Sequence, residues 1–238
     1  MHIPDGYLSP QTAITMMAVM VPVWGVAVKK VREKLKKKDV PLLAIGAAFS
    51  FTIMMFNLPI PGGSSAHAVG AVLLAILLGP WAAAIGVSVA LIIQALIFGD
   101  GGILAVGANC FNMAFVMPFI GYGVYKLVRG SSDPMSGRAI FASILAGYVG
   151  LNMAAFFTAV EFGSQYQLFK AADGTPLYFM YSLKTAIAAM MSEHMILAGP
   201  VEGIVTGLGM WFVGRNYPEL LGSAKMPSML DDLSLEGK

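Results

Sequence analysis

Long apolar runs separated by short polar breaks fill most of the chain. The runs cover residues 9–29, 40–57, 66–79, 80–98, 103–127, 138–162 and 182–213. A helix needs about 20 apolar residues to cross the ~30 Å hydrocarbon layer. The pattern therefore predicts an all-α integral membrane protein with about seven transmembrane helices. The third and fourth runs meet at Gly79-Pro80 without a polar loop. The third is short for a full crossing. No internal repeat stands out.

Composition agrees with this pattern. Of 238 residues, 57% are hydrophobic and 12% charged, against about 25% charged in soluble domains. The placement of charge then orients the bundle. Lys29, Lys30, Arg32, Lys34, Lys36, Lys37 and Lys38 follow the first run. Lys126, Arg129 and Arg138 follow the fifth, and Arg215, Lys225 and Lys238 the seventh. Only Lys170 and Lys184 fall on the other side. Basic loops stay cytoplasmic, so the expected N-terminus is extracellular and the C-terminus cytoplasmic. Residues 1–217 read as one membrane domain, with an N-terminal segment 1–8 and a helix bundle 9–213. Residues 218–238 read as a flexible cytoplasmic tail. The first 28 residues contain no Lys or Arg, unlike a secretory signal, so the N-terminus is expected to be mature. His2 is not small, so Met1 is expected to be retained. The single cysteine, Cys110, lies in an apolar run and reads as a small buried hydrophobe.

Candidate chemistry starts at the first residue. The Met1 amine, the His2 amide and the His2 imidazole can close on one metal ion, and His67 can supply a fourth nitrogen. Square-planar nitrogen coordination suits Ni(II) or Cu(II). Ser64 or Ser65 is expected to cap the next helix, placing His67 in its first turn, where the helix dipole disfavours imidazolium. Asp5 is a candidate acceptor for an imidazole N–H. Metal entry should displace protons from amine, amide and imidazoles, with affinity falling below about pH 6.5. Each histidine also has an ordinary reading: an accidental second residue, and a satisfied loop histidine.

Glu193 and His194, on the last long run, admit two readings: a structural polar cluster, or support and gating of the metal site. Glu202 follows a kink expected at Gly199-Pro200. Asn109, Asn112 and Asn152 read as interhelical hydrogen-bonding residues. Asp100 has no evident carboxylate partner. Most of the methionines read as core packing rather than Cu(I) ligands. No GxxxxGK[ST] loop and no nucleophile–base set occur, so uphill transport would need ATPase partners and the chain does not read as an enzyme.

The segments MHIPDG at 1–6, PGGSSAH at 61–67 and GANCFNM at 107–113 resemble the NikM/CbiM family, the nickel/cobalt substrate-binding membrane subunits (S components) of energy-coupling-factor (ECF) transporters. The resemblance covers about residues 1–217. It implies a multi-pass protein of the prokaryotic plasma membrane that captures its metal through Met1, His2 and His67. It also implies a transmembrane coupling (T) subunit, two cytoplasmic ATPase subunits and often a small accessory membrane protein. No cofactor is implied beyond the transported ion, and no nucleic acid. Pro4 and Asp5 lean towards nickel. The same role for Co(II), supplying cobalamin biosynthesis, is the alternative. An autonomous channel or ion-coupled carrier is an alternative of another class. Ala44 with Ala48, and Ala82 with Gly86 and Ala90, are candidate docking stripes for a partner helix, or close packing within the bundle.

Overall fold

The computed structural model describes residues 1–60 and 64–222. Residues 61–63 and residues 223–238 of the expected tail lie outside the described residues. Every expected apolar run is a helix: α1 (Pro10–Lys34), α2 (Val40–Met54), α3 (Ala71–Leu78), α4 (Pro80–Phe98), α5 (Val106–Arg129), α6 (Gly137–Leu168) and α7 (Leu183–Asn216). A short α8 (Pro218–Gly222) buries Leu221 against the end of α7. Ser9, Ser136 and Ser182 start α1, α6 and α7, each accepting a hydrogen bond from the backbone N–H three residues on.

Length separates the helices into two groups. Five of them, α1 and α4 to α7, are long and apolar enough to cross a membrane. The 15 residues of α2 and the 8 of α3 are shorter. At 1.5 Å per residue, α3 spans only about 12 Å. It is apolar all round, as a helix with no solvent face must be. All eight of its residues are buried, and α2, α4, α5, α6 and α7 pack around it. The Ala82–Gly86–Ala90 stripe belongs to this packing. A Cβ at Gly86 would meet Leu74, Leu43 and Ala47, so the stripe is internal rather than a docking face.

The start of α3 departs from the sequence expectation. Ser64–Ala66 forms a strand, β2, paired antiparallel with β1 (Leu58–Ile60) in the register Leu58↔Ala66. His67 lies in the irregular stretch that follows, four residues before α3. The capping group is not a local serine. Glu202, from α7, accepts the backbone N–H groups of Val69 at 2.7 Å and Gly70 at 3.0 Å. A carboxylate at a helix N-terminus satisfies its orphan donors and its dipole together. Gly70 takes the left-handed φ of +73° that the turn into α3 requires.

Three of the long helices contain a π-helical turn: Gln94–Phe98 in α4, Cys110–Val116 in α5 and His194–Ala198 in α7. Pro118 and Pro200 sit just beyond two of them. A proline has no N–H and clashes with the carbonyl four residues back, so the ladder shifts there. Where a kink was expected at Gly199-Pro200, the helix has a π-helical turn that begins at His194.

Candidate metal site

The first nine residues cross one end of the bundle, turning at Asp5-Gly6, and are held by α5, α6 and the connecting segments around Gly102 and Phe179. Ile3 N donates to Asn109 Oδ1 at 2.8 Å, and Asn109 Nδ2 donates back to Ile3 O at 3.2 Å. Gly102 N also donates to Ile3 O, at 2.8 Å. Tyr7 packs on Phe162 and Phe179, and Ser9 N donates to Gln165 Oε1 at 2.9 Å. The Asp100-Gly101-Gly102 turn lets this segment approach. A Cβ at Gly101, whose φ is +85°, would lie 3.0 Å from Asn109 Nδ2 and 3.1 Å from His2 Cδ2. Asp5 does not face an imidazole. Its carboxylate accepts from Ile103 N at 3.1 Å and Leu104 N at 2.9 Å, so it fixes the turn that leads into α5.

This path carries Met1 and His2 into the interior. Met1 is 0%, His2 4% and His67 2% exposed. The rings of His2 and His67 stack with centroids 4.6 Å apart and planes 28° apart. The Met1 amine contacts Ser65 Oγ at 3.3 Å, and Ser64 Oγ donates to His2 O at 3.4 Å. Both serines therefore serve the N-terminal segment instead of capping α3. Asp100 Oδ1 lies 3.5 Å from His2 Nδ1, while its Oδ2 accepts from Asn57 Nδ2 at 3.2 Å.

Electrostatics keep these nitrogens uncharged. Burial lowers the Met1 amine from its ordinary 8.0 to about 4, against an upward pull from Asp100. Burial, then the neighbouring amine, lower His2 to about 4, opposed by Asp100 and Gln94. Burial, the amine and His2 hold His67 well below its ordinary value. Above pH ~5 the amine and His2 are thus unprotonated and carry free lone pairs. The neutrality expected of His67 is present, but burial and a nearby amine cause it, not a helix dipole.

Hydrogen-bond polarity then decides where the imidazole lone pairs point. His67 Nδ1 lies 3.1 Å from Ala68 O, and His194 Nδ1 lies 2.7 Å from Met190 O. A carbonyl can only accept, so each Nδ1 carries the proton and each Nε2 keeps a lone pair. Both Nε2 atoms are buried without a partner, as is His2 Nδ1. Three orphaned imidazole nitrogens are unusual, since buried polar atoms are nearly always paired. Side chains alone do not complete a metal centre here. Among the described residues, no three His, Cys, Asp or Glu groups are placed to hold an ion. The set becomes adequate only when the Met1 amine and the His2 amide are counted.

Sequence reasoning singled out Met1, His2 and His67, and the structure brings all three together. His194 is fully buried on α7, and its turn packs on β2. Glu193 is half-buried and makes none of the hydrogen bonds that hold Met1, His2 or His67. Gln94 was overlooked: its Oε1 lies 3.2 Å from His2 Nε2. The available signal was its polarity, because only Ser88 and Gln94 interrupt the apolar α4. The clamp role of Asn109 and the approach of Asp100 to His2 had no local signature.

Comparison with known proteins places this architecture. A family model described as the cobalt uptake substrate-specific transmembrane region matches residues 2–220. The chain is 53% identical over 230 residues to a fused nickel transport protein, NikMN, of Rhodobacter capsulatus, covering 96% of this chain and 66% of that protein. It is 51% identical over 220 residues to a probable fused nickel transport protein, LarMN, of Lactiplantibacillus plantarum, covering 92% of this chain and 66% of that protein. The chain thus spans slightly less than two thirds of the length of both. The crystal structure of a truncated transition metal transporter superposes with a TM-score of 0.87 at 58% identity, covering 90% of this chain and 99% of that one.

Proposed function

The chain belongs to the cobalt uptake substrate-specific transmembrane family, and from that premise we propose that it captures Ni(II) with high affinity at the extracellular face, as the substrate-specific subunit of an ATP-driven ECF-type importer. The observation that carries this reading is the buried, uncharged Met1 amine beside the orphaned His2 and His67 nitrogens. Ni(II) takes the Met1 amine, the His2 amide, His2 Nδ1 and His67 Nε2 in one plane. Amine and amide close a five-membered chelate ring, and amide and Nδ1 a six-membered one, so covalent geometry holds most of the set in place. The amide gives up its proton to the metal. The complex then carries a net charge of about +1, which the Asp100 carboxylate balances.

Residues 1–217 act as one membrane domain, with segment 1–8 supplying the ligands. The basic residues after α1, α5 and α7 support an extracellular N-terminus. The site then faces the medium together with the β1–β2 pair and the Asp100 turn. Without a nucleotide loop of its own, the chain relies on a transmembrane coupling subunit and two ATPase subunits, with a small accessory membrane protein. The two fused relatives are named for nickel. The second reading keeps the site and changes the ion to Co(II), as the description of the matched family supports.

The direct test moves the amine. One residue added before Met1 converts the amine to an amide and pushes the new terminus into a filled interior. Nickel binding by the purified, tag-free protein should be lost while the helical fold persists. An extended protein that binds nickel like the native chain would rule out the amine as a ligand. Competition between Ni(II) and Co(II) on the native chain decides the ion.

A further inference from the structure

The proposed chelate requires one tautomer of His2. Only Nδ1 can close a ring with the residue's own amide nitrogen, so the ring proton must sit on Nε2. Nothing in the N-terminal segment imposes that choice, because a free imidazole interconverts between its two neutral forms.

The end of α2 imposes it from a distance. The last carbonyls of a helix have no intrahelical partner. Here the final turn tightens, and Met55 N bonds Thr52 O at 3.2 Å instead of Phe51 O. Phe51 O is left to accept from Gln94 Nε2 at 3.3 Å, and Met55 Sδ lies 3.9 Å from the same nitrogen. Both neighbours are acceptors, so the amide must present its NH2 to them. The Gln94 oxygen therefore faces the other way, 3.2 Å from His2 Nε2. This acceptor, nearer than the Asp100 oxygen 3.5 Å from Nδ1, holds the proton on Nε2 and leaves the lone pair on Nδ1. Gln94 is fully buried and opens the π-helical turn of α4, which sets its side chain off the regular helical ladder.

We infer that Gln94 is a positioning residue for the metal site: it transmits the fixed polarity of the Phe51 carbonyl to the His2 ring and so selects the chelating tautomer. This rests on the nickel reading above for its purpose, but not for its detection. Outer-shell partners that fix a ligating histidine are worth about ten- to a hundredfold in metal affinity.

Histidine tautomers are readable by 15N NMR in the metal-free protein. With only three histidines in the chain and a tag free of histidine, His67→Gln and His194→Gln assign the His2 signals. The native chain is expected to show His2 protonated at Nε2. Gln94→Leu is expected to mix the tautomers and weaken nickel binding about ten- to a hundredfold. Gln94→Asn, one methylene shorter, should do the same if the leucine variant fails to fold. Gln94→Glu keeps an acceptor and should keep the native tautomer. Unchanged tautomers in Gln94→Leu or Gln94→Asn overturn the inference, as do mixed tautomers with native nickel affinity. Failure of the native chain to bind nickel would sink the functional reading alone, since the tautomer shift is measured without metal.

Discussion

Glu202 and the His2–His67 pair are equally buried and meet the same 67–70 segment, yet their polar atoms face different things. Both carboxylate oxygens of Glu202 are engaged by the backbone of Val69 and Gly70. Two residues earlier, His67 Nε2 has no hydrogen-bond partner, and neither has His2 Nδ1, whose nearest polar neighbour is Asp100 Oδ1 at 3.5 Å. A buried acceptor that is fully paired adds rigidity. A buried lone pair left open costs about 1–3 kcal/mol, a cost a fold retains where a ligand later fills the gap. The Glu202 contacts thus hold the scaffold, and the histidines make the opening that the scaffold frames.

The largest expected effect that tests this contrast is on stability. Glu202→Leu strands two buried N–H groups at the start of α3, each costing about 1–3 kcal/mol. The thermal midpoint of the metal-free protein should drop clearly, with partial recovery in Glu202→Gln, which keeps one acceptor oxygen. A native midpoint combined with lost nickel binding would move Glu202 from scaffold to metal site. His67→Ala should do the reverse. Nickel affinity should fall by on the order of a hundredfold or more, above the range for outer-shell partners. Stability without metal should stay within about 1 kcal/mol, because lost packing is offset by removal of an orphaned nitrogen. Calorimetry and thermal unfolding on the same preparation separate the two.

The smallest effect is the proton count. With the amine and His2 both near 4, neither holds a proton at pH 7. Nickel should then release about one proton, from the amide. Ordinary amine and imidazole values would give more than two. As pH drops towards ~5, affinity should fall about tenfold per pH unit. It should fall more steeply through pH 4, where the lowered groups at last take up protons and compete with the metal. Calorimetry in buffers of different ionisation enthalpy reads the count directly. Two or more protons at pH 7 would mean that the amine is not buried as described. The steeper part of the fall thus lies near pH 4, below the value of about 6.5 expected for an exposed imidazole.

Much of the fold could be read from local pattern. The seven apolar runs became α1 to α7, because burial in lipid or core demands long uninterrupted apolar stretches. The short third run became the fully enclosed α3. The β1–β2 hairpin was missed: three-residue strands carry almost no periodicity. The serine cap failed because Ser64 and Ser65 pair with the N-terminal segment, leaving α3 to a carboxylate 132 residues from Gly70 along the chain. Asp5 was assigned to an imidazole because its sequence neighbour is His2. In space its neighbours are Ile103 and Leu104.

Residue types alone determined that this chain crosses a membrane, and that Met1, His2 and His67 carry nitrogen donors. Donor identity and helix length are local properties, written in consecutive residues. Tertiary structure decided which donors stay unprotonated and which lone pairs stay open. Those outcomes depend on burial and on partners far along the chain, such as Ser65 for the amine and Gln94 for His2, separated by 64 and 92 residues. The Met1 amine is lowered to about 4 because the folded chain buries it completely.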